Sequence, residues 1–284
     1  MKIEEIRKTY AEAVCDAAKV TSPLLREALA TVPRERFLGP GPWFLRGPQP
    51  GAAGMTEDAD PARVYQNASI AIHRERELFN GQPASIAAWL ESLGLEPGQR
   101  VLHISCGTGY YTAVIASVVG ADGRVFGIEV DAELASRARE ALADSRNVQV
   151  SHGDGRTNLP ADIDVVLVHA GGTHVVPEWL DATRDGARLL VPLTVSIPAM
   201  SPTLSKGVIL HAQRNAGAWR ARVDSMVAIY SLVGLRDEVA NGALGQALRS
   251  GSSGAPVTSI RRDAHAADAT CWLHVDGACV STKT

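Results

Sequence analysis

The sequence predicts an α/β protein built on a doubly wound, mostly parallel β-sheet. Short apolar strands alternate with helices between residues 83 and 193, a pattern typical of a parallel sheet that helices cover on both faces. Right-handed crossover connections then give the doubly wound arrangement. Turns rich in Gly and Asp follow several of the strands, and ligands bind at such strand ends in this class of fold.

Two helices are predicted ahead of the alternating region, over residues 3–31. Their apolar residues recur at the helical spacing of about 3.6 residues, and Ser22-Pro23 marks the start of the second helix. Residues 39–63 are rich in Gly and Pro, so we predict a long irregular loop there. The loop is either a lid over a functional site or a surface linker.

The alternating region itself is resolved into separate elements by its periodicity. We predict helices over 83–93, 110–119, 132–143 and 175–180, and strands over 101–104, 124–129, 148–151, 163–169 and 188–193. Beyond it we predict a hairpin of strands 207–212 and 218–223 around Asn215-Ala216-Gly217, a strand over 225–232, a helix over 237–248, and strands over 257–261 and 270–275.

We therefore divide the chain into three parts. Residues 1–80 form an N-terminal helical and lid segment, 81–235 a ligand-binding domain, and 236–284 a β-rich C-terminal extension. An extension of about 50 residues is short for a core of its own, so we expect it to pack on the rest of the chain.

Composition excludes several classes of protein. Lys and Arg number 28 against 31 Asp and Glu, a net charge of −3, so the chain lacks the basic surface of a nucleic-acid binder. No apolar run reaches the length of about 18 residues that a membrane span needs, and the first residues do not resemble a secretion signal. The four scattered cysteines predict a reducing compartment, with the cytoplasm as the default.

Residues 105–109 are the most informative segment. Ser105-Cys106-Gly107-Thr108-Gly109 connects a strand to a helix, and glycine lets the backbone bend sharply and approach a ligand closely. Glu129 ends the next strand, where a carboxylate can accept hydrogen bonds from a ribose. Gly153-Asp154-Gly155 follows the third strand and suits an adenine amino group. Together these turns predict a ligand that contains a nucleoside.

The glycine spacing favours one nucleoside ligand over another. A dinucleotide site requires G-x-G-x-x-G, but the residue three positions after Gly109 is Thr112 rather than Gly or Ala. S-adenosylmethionine (AdoMet) has no phosphate and needs only a looser G-x-G turn. We predict AdoMet as cofactor in a Rossmann-like methyltransferase fold, with a dinucleotide or a site that has lost its ligand as alternatives. The predicted cofactor-binding residues are His103, Ser105, Gly107, Gly109, Tyr110, Glu129, Val130, Asp154 and Gly155.

At these residues the chain resembles the protein-L-isoaspartate O-methyltransferase family. Residues 32–37 (V-P-R-E-R-F) resemble its V-P-R-x-x-F element, and Gln82-Pro83 resembles the end of its I-S-Q-P element. Residues 65–72 resemble its Y-x-D…P-I stretch, and Val191-Pro192 the strand that ends its common core. The likeness covers residues 24–235. It implies AdoMet-dependent methylation of a carboxylate oxygen on a peptide, protein or small molecule.

The chain departs from the family pattern at several positions. Gly81 stands where the family has a substrate-side Ser, Asn67 where it has Asp, and His103 where an acid opens the cofactor turn. The tail after residue 235 is also additional. Methyl transfer remains the implied activity, but isoaspartate need not be the acceptor. The alternatives are a small-molecule N- or O-methyltransferase and an inactive AdoMet-binding partner subunit.

A carboxylate is already a nucleophile, so its methylation needs orientation and exclusion of water more than a base. Asn80 and Gln82 are the candidate catalytic residues, because amide N–H groups can orient a carboxylate. Their alternative role is to cap the helix that begins near Pro83. Arg34 and Arg36 could bind an anionic substrate or form surface ion pairs.

Several other residues allow either a structural or a functional interpretation. His103 could contact the methionyl part of AdoMet or be a core histidine bonded to the backbone. Cys106 is predicted to be a small spacer rather than a nucleophile. Cys271, His274 and Cys279, with His265 upstream, offer zinc-type ligands. A strand over 270–275 would turn Cys271 and His274 to opposite faces, so no metal site is predicted.

Overall fold

The computed structural model describes residues 2–47, 51–196, 204–250 and 256–283. The chain forms two compact units. The first comprises Met1–Gln99 and Cys106–His152, and the second comprises Arg100–Ser105 and Gly153–Thr284. The predicted boundaries at residues 80 and 235 follow the sequence pattern and stay predictions.

The elements are numbered along the chain. The α-helices are α1 (Ile3–Ala18), α2 (Pro23–Thr31), α3 (Pro83–Leu93), α4 (Tyr110–Val119), α5 (Ala132–Ala141), α6 (Pro177–Asp181) and α7 (Glu238–Ser250). The strands are β1 (Phe44–Arg46), β2 (Ala53–Met55), β3 (Ser69–His73), β4 (Leu78–Phe79), β5 (Arg100–Ile104), β6 (Arg124–Glu129), β7 (Val148–His152), β8 (Ile163–Val168), β9 (Thr183–Ser196), β10 (Leu204–Asn215), β11 (Ala218–Tyr230), β12 (Ser259–Arg261), β13 (Cys271–Leu273) and β14 (Cys279–Ser281). Two 3₁₀ turns span Arg34–Phe37 and Pro61–Val64.

The two predicted N-terminal helices are confirmed. Lys19 ends α1 in the left-handed conformation, and the Ser22 hydroxyl accepts a hydrogen bond from the Leu25 N–H at 3.3 Å. Pro23 is the first residue of α2, where its missing N–H costs no hydrogen bond. Both helices turn apolar side chains inward and pack against each other, and α2 also packs against α4.

The segment 39–63 is more regular than the sequence predicts. β1 pairs antiparallel with β2 and with β3, and β3 pairs with β4, which gives a four-stranded sheet in the order β2-β1-β3-β4. The prediction of a long irregular loop was therefore wrong for β1 and β2, and β3 and β4 were missed. Strands of two to five residues are too short for alternation of polar and apolar residues to reveal them. Residues 48–50 lie outside the described part of the chain.

A buried arginine holds the segment that leads into this sheet. The Arg34 side chain is fully buried, and its guanidinium donates to the carbonyls of Val64, Gln66 and Ala68 at 2.7–2.9 Å. These carbonyls would otherwise be buried without donors. Neither role predicted for Arg34, substrate binding or a surface ion pair, was right. Arg36 does form a surface ion pair, with Asp144 at 2.9 Å.

The predicted parallel strands are confirmed within each unit. In the first unit β6 pairs in parallel with β7, and α4 and α5 pack on both strands. In the second unit β5 pairs in parallel with β8, and β8 pairs in parallel with β9. Every residue of β8 is buried, as expected for a strand covered on both faces.

The second unit continues as an antiparallel sheet. β10 pairs with β9 and β11, and the β10–β11 hairpin turns at Ala216 and Gly217, whose φ angles are 48° and 80°. The Asp185 carboxylate accepts hydrogen bonds from both turn N–H groups. The hairpin was predicted, but its strands are longer than predicted. The pieces 218–223 and 225–232 form one strand, β11, which ends at Tyr230.

The C-terminal residues extend the same sheet. β12 pairs with β11, β14 pairs with β12, and β13 pairs with β14. α7 packs against β9 and β13. β14 was not predicted, because three residues between two turns carry no periodic signal. Among the helices described, none combines the length and apolarity needed to cross a bilayer.

We predict that Arg34→Met lowers the free energy of unfolding by about 3 kcal/mol or more, because it leaves buried carbonyls without donors. Arg36→Met is the matched control, and loss of its exposed ion pair should cost less than about 1 kcal/mol. Urea unfolding of both variants measures the difference. Equal stabilities for the two variants would contradict the structural role of Arg34.

Candidate active-site residues

The glycine-rich turn in the first unit depends on two left-handed residues. Gly107 and Gly109 have φ angles of 58° and 93°, which L side chains rarely adopt. A Cβ on Gly109 would also come within 2.8 Å of Leu142 Cδ1. The Gly109 N–H donates to the Cys106 carbonyl at 3.0 Å, and α4 begins at the next residue. Both glycines therefore stand where the backbone requires them.

Glu129 lies at the end of β6, and its side chain is hydrogen-bonded to this turn. One carboxylate oxygen accepts from the Gly107 N–H at 2.8 Å, and the other accepts from the Asp131 N–H at 3.1 Å. Burial raises the pKa of Glu129, while these two donors oppose the rise. Each carboxylate oxygen has two acceptor sites. The side chain is thus held in place and can accept further hydrogen bonds from a diol.

Two other predicted cofactor residues of this unit contribute differently. The Tyr110 side chain is buried, with its ring 5.8 Å from that of Phe37 and 4.9 Å from that of Tyr111. Its contribution to a ligand is therefore limited to its backbone at the start of α4. Val130 is exposed, and its carbonyl lies 3.1 Å from Nε2 of His152.

Cys106 has the surroundings of a spacer. Its side chain is buried, and a Cβ on Gly127 would come within 3.1 Å of its Sγ. Burial, and to a smaller extent the Glu129 carboxylate, raise the pKa of the Cys106 thiol. The sulfur stays protonated at neutral pH and is a poor nucleophile.

In the second unit, His103 is paired with another histidine. His103 is fully buried on β5, its Nε2 lies 3.3 Å from Nδ1 of His169, and the two rings stack. Burial lowers the pKa of both imidazoles, that of His169 to about 4, so both are neutral at pH 7. The side-chain partner His169 was not among the predicted contacts of His103.

Ser105 carries backbone strain. Its φ is 59°, a left-handed conformation that costs a residue with a Cβ about 1 kcal/mol or more. The family that the turn resembles has Gly at this position.

The Gly153-Asp154-Gly155 turn is held from two sides. The indole N–H of Trp179 donates to the Gly155 carbonyl at 2.7 Å, and a Cβ on Gly155 would lie 2.7 Å from Ile104 Cγ2. Asp154 forms an ion pair with Arg156, whose Nε lies 3.0 Å from Oδ1 and whose Nη2 lies 2.5 Å from Oδ2 of the carboxylate. Arg156 lowers the pKa of Asp154. The carboxylate therefore has a structural partner already.

The two candidate catalytic residues differ in their contacts. Oδ1 of Asn80 accepts from the Ile70 N–H at 2.9 Å, which orients the amide. Its Nδ2 is buried and has no acceptor among the residues that the structure describes. Gln82 precedes α3, and its Oε1 accepts a hydrogen bond from the Ser85 hydroxyl at 3.3 Å. Among the described residues its side chain makes no capping bond to the helix backbone. The side-chain cap comes from Asn67, whose Oδ1 accepts from the Ala84 N–H at 2.9 Å. Gln82 occupies the N-cap position, but the expectation that the side chain of Asn80 or Gln82 caps this helix was wrong.

Sequence reasoning missed three residues that shape these turns. His169 directly follows β8, and its place at the carboxyl end of a parallel strand was a usable signal. Trp179 and Asn67 carried no such signal, because each acts on a residue at least 17 positions away in the chain.

Two solved structures share this fold and carry the same description. One titled protein-L-isoaspartate O-methyltransferase superposes with a TM-score of 0.65 at 22% identity, over 86% of this chain and 69% of that chain. A Plasmodium falciparum structure described as the same enzyme, in complex with S-adenosyl-L-homocysteine, gives a TM-score of 0.60 at 16% identity, over 80% and 97%. The fold is that of Rossmann-like methyltransferases, with added C-terminal strands, and the predicted fold class is confirmed.

Sequence comparison identifies the family. The profile of the Protein-L-isoaspartate(D-aspartate) O-methyltransferase (PCMT) family matches residues 55–206, and the chain belongs to this family. Relatives of that name include those of Thermotoga maritima (30% identity, 63% of this chain and 53% of the relative) and Rhodopseudomonas palustris (35%, 62% and 64%). The Methanopyrus kandleri relative is 31% identical over 66% of this chain and 76% of its own length. The matched region thus spans between half and two thirds of the first two relatives.

We predict that Glu129→Ala weakens AdoMet binding more than tenfold, because each charge-assisted hydrogen bond to a ribose contributes about 1.5–3 kcal/mol. Isothermal titration calorimetry measures the dissociation constant. Glu140→Ala removes an exposed carboxylate from α5 and should leave it unchanged. An unaltered affinity in Glu129→Ala would remove this residue from the cofactor site.

We predict that the free energy of unfolding falls as pH drops below about 6.5. The unfolded His169 gains a proton near pH 6.5, whereas the folded side chain resists protonation down to about pH 4. This residue alone should cost about 2 kcal/mol between pH 7 and pH 5. His169→Asn should flatten the profile measured by urea unfolding, and the exposed His152→Asn should not. Parallel profiles for wild type and His169→Asn would exclude this origin.

Proposed function

We propose that this chain is an AdoMet-dependent methyltransferase that transfers a methyl group to a carboxylate oxygen of a peptide or protein, with isoaspartyl residues as the first candidates. The observation that carries the proposal is the Glu129 carboxylate, which the Gly107 N–H holds beside the glycine-rich turn. Membership of the PCMT family and the names of its relatives supply the reaction class and the acceptor.

The residues present fit AdoMet. Gly109 and Gly155 stand where a Cβ would collide with a neighbouring side chain. As glycines, they also put no side chain between their own backbone and a ligand. The proposed binding residues remain those predicted from the sequence, with Glu129 accepting from ribose hydroxyls and Tyr110 acting through its backbone. The ion pair of Asp154 with Arg156 makes Gly155 the stronger of the two candidates for contact with the adenine. When bound, AdoMet supplies an electrophilic methyl group on a sulfonium.

The side chains of this unit suit a reaction that needs no strong base. Asn80 is the proposed positioning group, because its buried Nδ2 can donate to a carboxylate while its Oδ1 is held by Ile70. Gln82 is the second candidate, since among the described residues its amide is hydrogen-bonded to Ser85 alone. Cys106 stays a thiol and so does not compete for the methyl group. Residues 39–63 remain the proposed lid that excludes water.

One observation favours a broader choice of acceptor. Gly81, at the position of the family's substrate-side Ser, has a φ of 81°. A serine in this backbone conformation would be strained. Because this chain has glycine instead, its substrate recognition does not use the serine hydroxyl. A small-molecule N- or O-acceptor is therefore the second candidate.

We also propose a cytoplasmic setting, based on four free cysteines.

The proposal is tested with radioactive AdoMet and a pair of peptides that differ only in an isoaspartyl or aspartyl residue. We expect base-labile methyl groups on the isoaspartyl peptide and little on its partner. Asn80→Ala should lower kcat/KM about tenfold or more, since positioning donors typically contribute that much. Asn147→Ala, which removes a structural amide elsewhere, is the matched control.

The other outcomes separate the alternatives. Base-stable methyl transfer to small N- or O-acceptors alone would replace the peptide carboxylate with the second candidate. AdoMet binding without transfer to any of these acceptors would leave a cofactor-binding partner subunit. Absence of AdoMet binding would overturn the proposal altogether.

A further inference from the structure

Four side chains of the C-terminal strands converge on one point. They are His265, Cys271, His274 and Cys279, and one nitrogen or sulfur atom of each lies within 4.8 Å of the others. Cys271 Sγ is 3.5 Å from His265 Nε2 and 3.7 Å from His274 Nδ1. Tetrahedral zinc, with bonds of about 2.3 Å to sulfur and about 2.0 Å to nitrogen, separates neighbouring S and N ligands by about 3.5 Å.

The local fold explains why the sequence pattern indicated otherwise. Cys271 is paired with Ser281 and Leu273 with Val280, so the register shifts between the two. β13 ends at Leu273, before His274. This bulge and the early strand end cancel the alternation of faces on which the prediction rested. The expectation that Cys271 and His274 face apart was wrong, and the reason for excluding a metal site falls with it.

Neighbouring groups orient the two histidines. Nδ1 of His265 lies 2.8 Å from the Asp263 carbonyl and 3.3 Å from its carboxylate, which leaves Nε2 directed at Cys271. Nε2 of His274 lies 3.6 Å from the Asp276 carboxylate. Metal-binding histidines have the same arrangement, in which the second ring nitrogen is held by a carboxylate or carbonyl.

The sulfur of Cys271 and the supporting carboxylates are also tied together. The Asp268 N–H donates to Cys271 Sγ at 3.3 Å, and this contact orients the sulfur. Arg261 forms ion pairs with Asp263 at 2.9 Å and with Asp268 at 3.2 Å. One arginine therefore fixes the partners of both His265 and Cys271.

We propose that His265, Cys271, His274 and Cys279 bind one Zn²⁺ as a closed, four-ligand structural site. Two sulfurs and two imidazole nitrogens are the donor set that zinc favours. Four protein ligands leave no position for water or substrate, so the ion has a structural role rather than a catalytic one. The proposal is independent of the methyl-transfer activity.

The site would join several very short elements of the C-terminal segment. His265 comes from the connection between β12 and β13, Cys271 from β13, and Cys279 from β14. Each of these strands has only three residues. An ion bound to all four side chains would close these short strands into one stable unit, as in small zinc-binding modules.

The test uses the full chain, purified without an affinity tag and under reducing conditions. Elemental analysis should find one zinc per chain, and replacement by Co²⁺ should give the visible spectrum of a tetrahedral site with thiolate ligands. Cys271→Ser and Cys279→Ser should lose the stoichiometric metal and melt at lower temperature. Cys15→Ser, which alters a buried cysteine of the first unit, should keep the metal. His274→Gln should weaken Co²⁺ binding, and the exposed His152→Gln should not.

Three results would overturn the proposal. The reduced wild-type chain could fail to take up Zn²⁺ or Co²⁺, or the metal could persist in the Cys271→Ser/Cys279→Ser double variant. A disulfide between these two cysteines in the reduced preparation would also exclude the site. Wild-type stoichiometry and the Co²⁺ spectrum keep the test decisive even if a cysteine variant fails to fold.

Discussion

The hydrogen bond from the Gly107 N–H to the Glu129 carboxylate is the interaction on which the candidate cofactor site depends. It joins the glycine-rich turn to the end of β6 at 2.8 Å. Burying a carboxylate is unfavourable unless donors compensate for lost water, and the Asp131 N–H supplies the second donor. The turn can present its N–H in this direction because Gly107 and Gly109 adopt left-handed conformations. The backbone conformation of the turn and the position of the buried Glu129 carboxylate therefore depend on each other.

A second constraint acts on the N-terminal part of the same unit. Arg34 lies in residues 32–37, which resemble the family's V-P-R-x-x-F element, and an arginine in such a motif suggested substrate binding. Its burial and its three bonds to backbone carbonyls assign it to the scaffold instead. It also lies 3.4 Å from Oδ1 of Asn80, so the scaffold arginine helps to orient the candidate positioning residue.

The C-terminal strands present a separate chemistry. The four-residue cluster around Cys271 includes neither the glycine-rich turn nor Asn80. Its sulfur and nitrogen atoms are the ligands of structural zinc sites and have no role in the proposed methyl transfer. Each strand of this segment has only three residues, and small protein modules often use a bound metal for stability. The proposed zinc site would thus stabilise the C-terminal strands, whereas the proposed methyltransferase site would bind the cofactor and the acceptor.

The sequence by itself determined the features that are local. The buried strand β8, the start of α2 at Ser22-Pro23 and the hairpin turn at Ala216-Gly217 follow from hydrophobicity, capping and turn preference over a few residues. The glycine-rich turn and Glu129 were found for the same reason, since each carries its own backbone or charge signal.

Only the tertiary structure decided which distant residues meet. His103 and His169 are 66 positions apart, and the short strands β1 to β4 exist through their pairing rather than through their own sequences. The cluster around Cys271 depends on a single register shift in a three-residue strand. Side-chain directions reverse with each residue along a strand, so one bulge that local periodicity does not encode decides whether potential ligands converge or face apart.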